Sequence, residues 1–123
     1  MSTHEQRAKA LRESAEKIIN GLAEFKELYK RYGFDTMATG GMNAQKIAAK
    51  MKPIEARTGE RVRALRDEFR AALRACESVE EIGELVLIAR PVCEAMDLVL
   101  PFSQETMRAR VHLVHAVETA ARP

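Results

Sequence analysis

Leu11, Ala15, Ile18, Leu22, Phe25, Tyr29 and Tyr32 follow one another at alternating steps of four and three residues. At 3.6 residues per turn this spacing holds an apolar stripe on one side of an α-helix, and the intervening Lys, Arg and Glu face water. Thr3 and Gln6 stand three apart as a capping-box pair, so a helix is predicted over about 3–32, ending at Gly33. The stretch GFDTMATGGMN, residues 33–43, breaks the pattern and reads as a flexible internal loop. Its double glycine lacks the Lys and Ser/Thr of a phosphate-binding loop, and Asn43 can cap the helix that follows.

A second stripe comprises Ile47, Met51, Ile54, Thr58, Val62, Leu65, Phe69, Leu73 and Cys76. Because Pro53 lacks an N–H and suits a first helical turn, the reading is a short extra helix over 44–51 and a longer one over 53–76. Ser78 with Glu81 forms another capping box, opening a helix over 78–100. Apolar residues cover nearly all of that helix's circumference, leaving a strip of Arg90, Glu94 and Asp97. It is therefore expected at the centre of the fold, kinked at Pro91, with a face left over for a second subunit. Pro101 stops it, and Ser103 can cap a last helix over 103–121. Met107, Val111, Val114, Val117 and Ala121 make that helix's predicted apolar face, with Leu113 at its edge. The fold class predicted is all-α: an antiparallel bundle of four main helices in one domain, 1–123.

Composition supports this. The chain has 123 residues, 46% hydrophobic and 31% charged, with only 4 Pro and 6 Gly, the profile of a folded domain. Aromatics are 5% and Trp is absent, which favours helix over sheet. Cys76 and Cys93 are too few for a disulfide framework and lack metal-ligand spacing. They read as free thiols in a reducing compartment. MSTHEQRAK has no apolar signal region, and LVLIARPV is too short to span a bilayer, so the expectation is a cytoplasmic protein with no membrane partner. The net charge of +2 argues against both a DNA mimic and a strongly basic coating protein. Its distribution is uneven: 7 basic against 6 acidic side chains over 1–44, 9 against 4 over 45–74, and 4 against 8 over 75–123.

Candidate chemistry concentrates in MRARVHLVHAVETA, residues 107–120, which holds two of the three histidines. On a helix, Arg108, His112, His115 and Thr119 cluster within a sector of about 60°, opposite the predicted apolar face. Two imidazoles three residues apart can share an ion, but only Glu105 lies on that side and no HExxH or ExxH pattern completes a site. No metal and no cofactor are assigned. RVHLVH (Arg110 to His115) and RARVHLVH (Arg108 to His115) resemble the signature of HEPN-type ribonucleases, an all-helical family with Arg four to six residues ahead of His. That resemblance implies transesterification at a phosphate, with Arg holding phosphoryl oxygens and His moving protons. Residues seven apart share a helix face, so Arg108 with His115 is the pair to carry it. The family's polar residue after the arginine is replaced here by Ala109 or Val111.

Arg63, Arg66, Arg70 and Arg74, at steps of three, four and four, form a strip of like charge beside the Leu65–Phe69–Leu73 core stripe. Like charges at this spacing disfavour an isolated helix slightly, so phosphates, an acidic partner or neighbouring Glu60 and Asp67 should offset them. No aromatic is interleaved for stacking on single strands. No Ser–His–Asp or Cys–His arrangement is present. The expected function is a small non-enzymatic cytoplasmic interaction module, an adaptor, regulator or inhibitor. It would dock on a protein or macromolecular complex, with His112, His115 and Thr119 as a partner-facing surface, and associate as a homodimer. Two alternatives stand beside it: nucleic-acid binding through the basic 45–74 segment, and an HEPN-like ribonuclease using Arg108 and His115.

Overall fold

The computed structural model describes residues 3–38, 44–97 and 104–122, with side chains for 3–28, 30, 49–50, 52–96 and 104–122. The order is α1 (His4–Ala38), α2 (Ala44–Arg74), α3 (Val79–Asp97) and α4 (Gln104–Ala121). The all-α, four-helix prediction stands. The proposed caps Asn43 and Ser103, the end of the third helix at 98–100, and the buried places of Tyr29, Tyr32, Ile47 and Met51 lie outside the described residues.

Two boundaries differ from expectation. α1 continues through Gly33 to Ala38, so residues 33–38 are helix and not loop. The separate helix over 44–51 does not exist, because α2 is one element running through Pro53. Ala49, Lys50 and Pro53 are all exposed, so water can satisfy the Ala49 carbonyl that proline leaves without a donor. Pro91 sits likewise on the exposed side of α3.

The caps explain the starts. Thr3 N–H donates to Gln6 Oε1 at 2.9 Å and Gln6 N–H to Thr3 Oγ1 at 3.2 Å, a reciprocal capping box. At α3 the Glu81 N–H donates to Ser78 Oγ at 3.2 Å, but the Glu81 carboxylate reaches one residue further back, accepting from Glu77 N–H at 2.8 Å.

Directions alternate along the chain. Ser14 donates to Glu68 at 2.9 Å while Gly21 lies against Thr58, so α1 and α2 run antiparallel. His4 meets Glu84, which sets α3 parallel to α1. Gly59 meets Thr106 and Arg66 meets His112, which sets α4 parallel to α2. In cross-section α1 and α4 occupy opposite corners with no contact among the described residues; α2 and α3 each pack on both of them and touch across the other diagonal. No helix is therefore central.

The core follows the predicted stripes on α1 and α2, where Leu11, Ala15, Ile18, Leu22 and Phe25 face Ile54, Val62, Leu65 and Phe69. Burying each of the larger side chains is worth roughly 1.5–3 kcal/mol. Thr58, in the same stripe, satisfies its buried hydroxyl by donating to Ile54 O at 2.9 Å. α3 is buried on one side only, through Leu85, Val86, Ala89, Val92, Cys93 and Met96, while Leu87 is 69% and Val79 80% exposed. The helix expected to be buried all round thus spends two of its large apolar residues on solvent.

α4 is turned from its predicted orientation. Its buried residues are Thr106, Ala109, Leu113 and Val117, whereas Val111 is 54% exposed. The core face lies roughly a quarter turn from the valine-rich face. The cause is a close crossing: a Cβ placed on Gly59 would stand 2.9 Å from Thr106 Oγ1. Small residues at the contact let α4 approach α2, and that approach outweighs burial of one more valine.

Candidate functional site

The turned α4 brings its polar sector against α2. Arg66, Arg70 and Leu73 from α2, with His112, His115, Ala116, Thr119 and Ala120 from α4, line an open groove of about 460 Å³. Past the Gly59–Thr106 crossing, the arginines and histidines form its rim and half-buried Leu73, Ala116 and Ala120 its floor. Two clusters that the sequence presents about 45 residues apart thus share one site.

Arg66 is the joint. Its Nη1 lies 3.0 Å from His112 Nδ1, while Nε and Nη2 both donate to Asp67 Oδ1, at 3.1 and 2.9 Å. A guanidinium only donates, so Nδ1 accepts and the His112 proton sits on Nε2 in this arrangement. Arg70, His115 and Thr119 are exposed on the rim. Among the described residues no acidic side chain lines the groove; Asp67, held by Arg66, is 68% exposed.

Other predicted residues fall outside it. Arg63 and Arg74 are exposed on the same edge of α2 but do not line the groove. Arg108 is exposed and also absent from the lining, so the Arg108–His115 pair is not what the groove brings together. Arg110 is half-buried. Cys93 is buried as expected of its position, and both cysteines are free thiols. A second depression between α1 and α2, of about 380 Å³, mixes Arg7 and Lys17 with Glu13 and Glu68 and has no single electrostatic character.

Sequence spacing did not point to one further cluster. His4, Cys76 and Glu81 offer ligand atoms that all lie within 4.8 Å of one another. They come from the start of α1, the α2–α3 turn and the first turn of α3, and only the parallel pairing of α1 with α3 unites them.

No protein-family model, no curated protein and no solved structure matches the chain. Among the described residues no helix is long and apolar enough to cross a membrane.

Proposed function

We propose that the protein is a cytoplasmic, non-enzymatic docking module whose α2/α4 groove receives an acidic segment of a protein partner or macromolecular complex. One observation carries the reading: Arg66, Arg70, His112 and His115 converge on a groove that has an apolar floor and, among the described residues, no acidic lining. With Arg66 engaged by Asp67 and His112, the Arg70 guanidinium is the fork that suits an incoming carboxylate, which it can hold through two hydrogen bonds at once. The rim supplies attraction and orientation, and burial of an apolar side chain on Leu73, Ala116 and Ala120 supplies the desolvation gain. Nucleic acid is the weaker fit. A phosphate backbone calls for a long cationic track, whereas the exposed face of α1 alternates Lys and Arg with Glu and the net charge is only +2. Self-association, expected from surplus apolar surface on α3, now rests among described residues on Leu87 and Val79. A second copy is accordingly an outcome of the test and not the occupant proposed.

The test is selection from a displayed random-peptide library, followed by anisotropy titration of an enriched peptide. Expected sequences place Asp or Glu around an apolar anchor, and Arg70→Glu weakens binding at least tenfold. Enrichment without acidic bias, or equal affinity for the variant, refutes the proposal. Retention on RNA or DNA with a steep salt slope, flattened by Arg66→Ala with Arg70→Ala, would instead favour nucleic-acid binding. RNA cleavage abolished by His115→Ala would favour the ribonuclease.

A further inference from the structure

The groove leaves the third histidine unused. His4 Nε2 lies 2.6 Å from Glu84 Oε2, so the ring donates there and Glu84 fixes its tautomer. The other nitrogen, Nδ1, is sealed from solvent and makes no hydrogen bond; the nearest carboxylate oxygen, Glu81 Oε2, is 3.6 Å away. Cys76 stands beside it on the α2–α3 turn, its thiol donating weakly to Ala72 O at 3.4 Å. A histidine with one nitrogen anchored on a carboxylate and the other unbonded close to a thiol and a second carboxylate is the arrangement found around protein-bound metals.

We infer that His4 Nδ1, Cys76 Sγ and Glu81 Oε2 form a binding site for a zinc-class divalent ion, with Glu84 as the positioning residue behind His4. The donor set selects the ion: thiolate, imidazole and one carboxylate suit Zn²⁺, and exclude Mg²⁺ and Ca²⁺, which require oxygen ligands. Size agrees. Tetrahedral zinc, with bonds of about 2.0–2.3 Å, holds its ligand atoms roughly 3.5 Å apart. Here the three atoms lie within 4.8 Å, so closure needs about 1 Å of side-chain movement, available from the Cys76 turn and the Glu81 side chain. Glu81 is already steadied, because its other oxygen accepts the Glu77 N–H at 2.8 Å. Three protein ligands leave a fourth position for water. Binding ties α1, the α2–α3 turn and α3 together at one end of the bundle.

Burial, then Glu81, push the Cys76 thiol above its ordinary range; Glu84 adds to this and Arg7 opposes it. An entering cation displaces the thiol proton, forming the metal–sulfur bond as the S–H bond is lost, and that proton leaves to solvent.

The experiment titrates the full chain with Co²⁺ and with Zn²⁺, reading the thiolate-to-cobalt charge-transfer band and the thermal midpoint. Wild type should develop the band and melt higher with Zn²⁺. Cys76→Ser should abolish the band, His4→Gln should weaken binding at least tenfold, and Glu84→Gln should weaken it 10- to 100-fold. Cys93→Ala should leave the band unchanged. Far-ultraviolet circular dichroism of each metal-free variant establishes that it folds. A folded wild type that shows no thiolate–cobalt band, or Zn²⁺ affinity unaltered in folded Cys76→Ser and His4→Gln, overturns the inference.

Discussion

Gly59→Ala is expected to destabilise the protein, although alanine normally improves a helix. The added Cβ would meet Thr106 Oγ1 at 2.9 Å, with Thr106 Cβ at 3.7 Å and Cα at 3.8 Å. Threonine is stiff about χ1, and the space cannot be cleared without disturbing a buried contact. Overpacking of this kind costs about 1–3 kcal/mol, against a gain of about 0.5–1 kcal/mol from replacing helical glycine, leaving a net loss of roughly 0.5–2 kcal/mol. Gly83 is the control. Nothing lies within 4 Å of its added Cβ, so Gly83→Ala should stabilise by about 0.5–1 kcal/mol. Gly21, whose nearest neighbour would be Thr58 Oγ1 at an ordinary 3.5 Å, should follow Gly83. Urea unfolding followed by far-ultraviolet circular dichroism measures all three. Thr106→Ala removes the offending oxygen, so in that background Gly59→Ala should become stabilising, a coupling of about 1–3 kcal/mol. If Gly59→Ala stabilises wild type as much as Gly83→Ala, or behaves identically in both backgrounds, α4 does not cross α2 here and the groove below the crossing is misplaced.

Other expectations are as definite. Leu113→Ala should cost about 2–5 kcal/mol by chemical denaturation, while Val111→Ser stays within about 0.5 kcal/mol; the reverse ranking would restore the valine-rich face to the core. Because the folded Cys76 thiol has a raised pKa, its contribution to stability is full below the unfolded thiol's value and is lost as pH rises through the folded one. Midpoints measured above about pH 8.5 should therefore fall more steeply in wild type than in Cys76→Ser, and equal slopes would contradict the burial of that thiol. Arg66→Ala should loosen His112 without unfolding the protein, seen as a change in the His112 ring resonances at an unchanged melting midpoint; an unmoved ring would mean the pair is not formed in solution.

The regular part of this fold was legible wherever one stripe met one core. On α1 the Leu11–Phe25 spacing and the Thr3–Gln6 cap are local properties, and both stand. Reading failed where a partner helix decided the outcome. The valines of α4 outrank its alanines in hydropathy, but a glycine at position 59 invites a close crossing that small residues satisfy better. Pro53 misled in a related way: a local rule treats it as a break, whereas an exposed face lets water complete the backbone. In the candidate groove, Arg66, Arg70, His112, His115 and Thr119 were recognisable singly from charge and angular position. Their meeting was not, since nothing local pairs position 66 with 112. His4, Cys76 and Glu81 show the same limit, as ligands with no sequence spacing to announce them.

The docking claim is tested most directly by heteronuclear NMR titration of the isotope-labelled chain with an acidic, apolar-anchored peptide obtained by selection. Perturbed resonances should concentrate on Arg66, Arg70, Leu73 and the His112–Ala120 stretch, and should vanish in Arg70→Glu. Perturbations confined to α1 and α3, or undiminished in that variant, would contradict the claim that the α2/α4 groove is the docking surface.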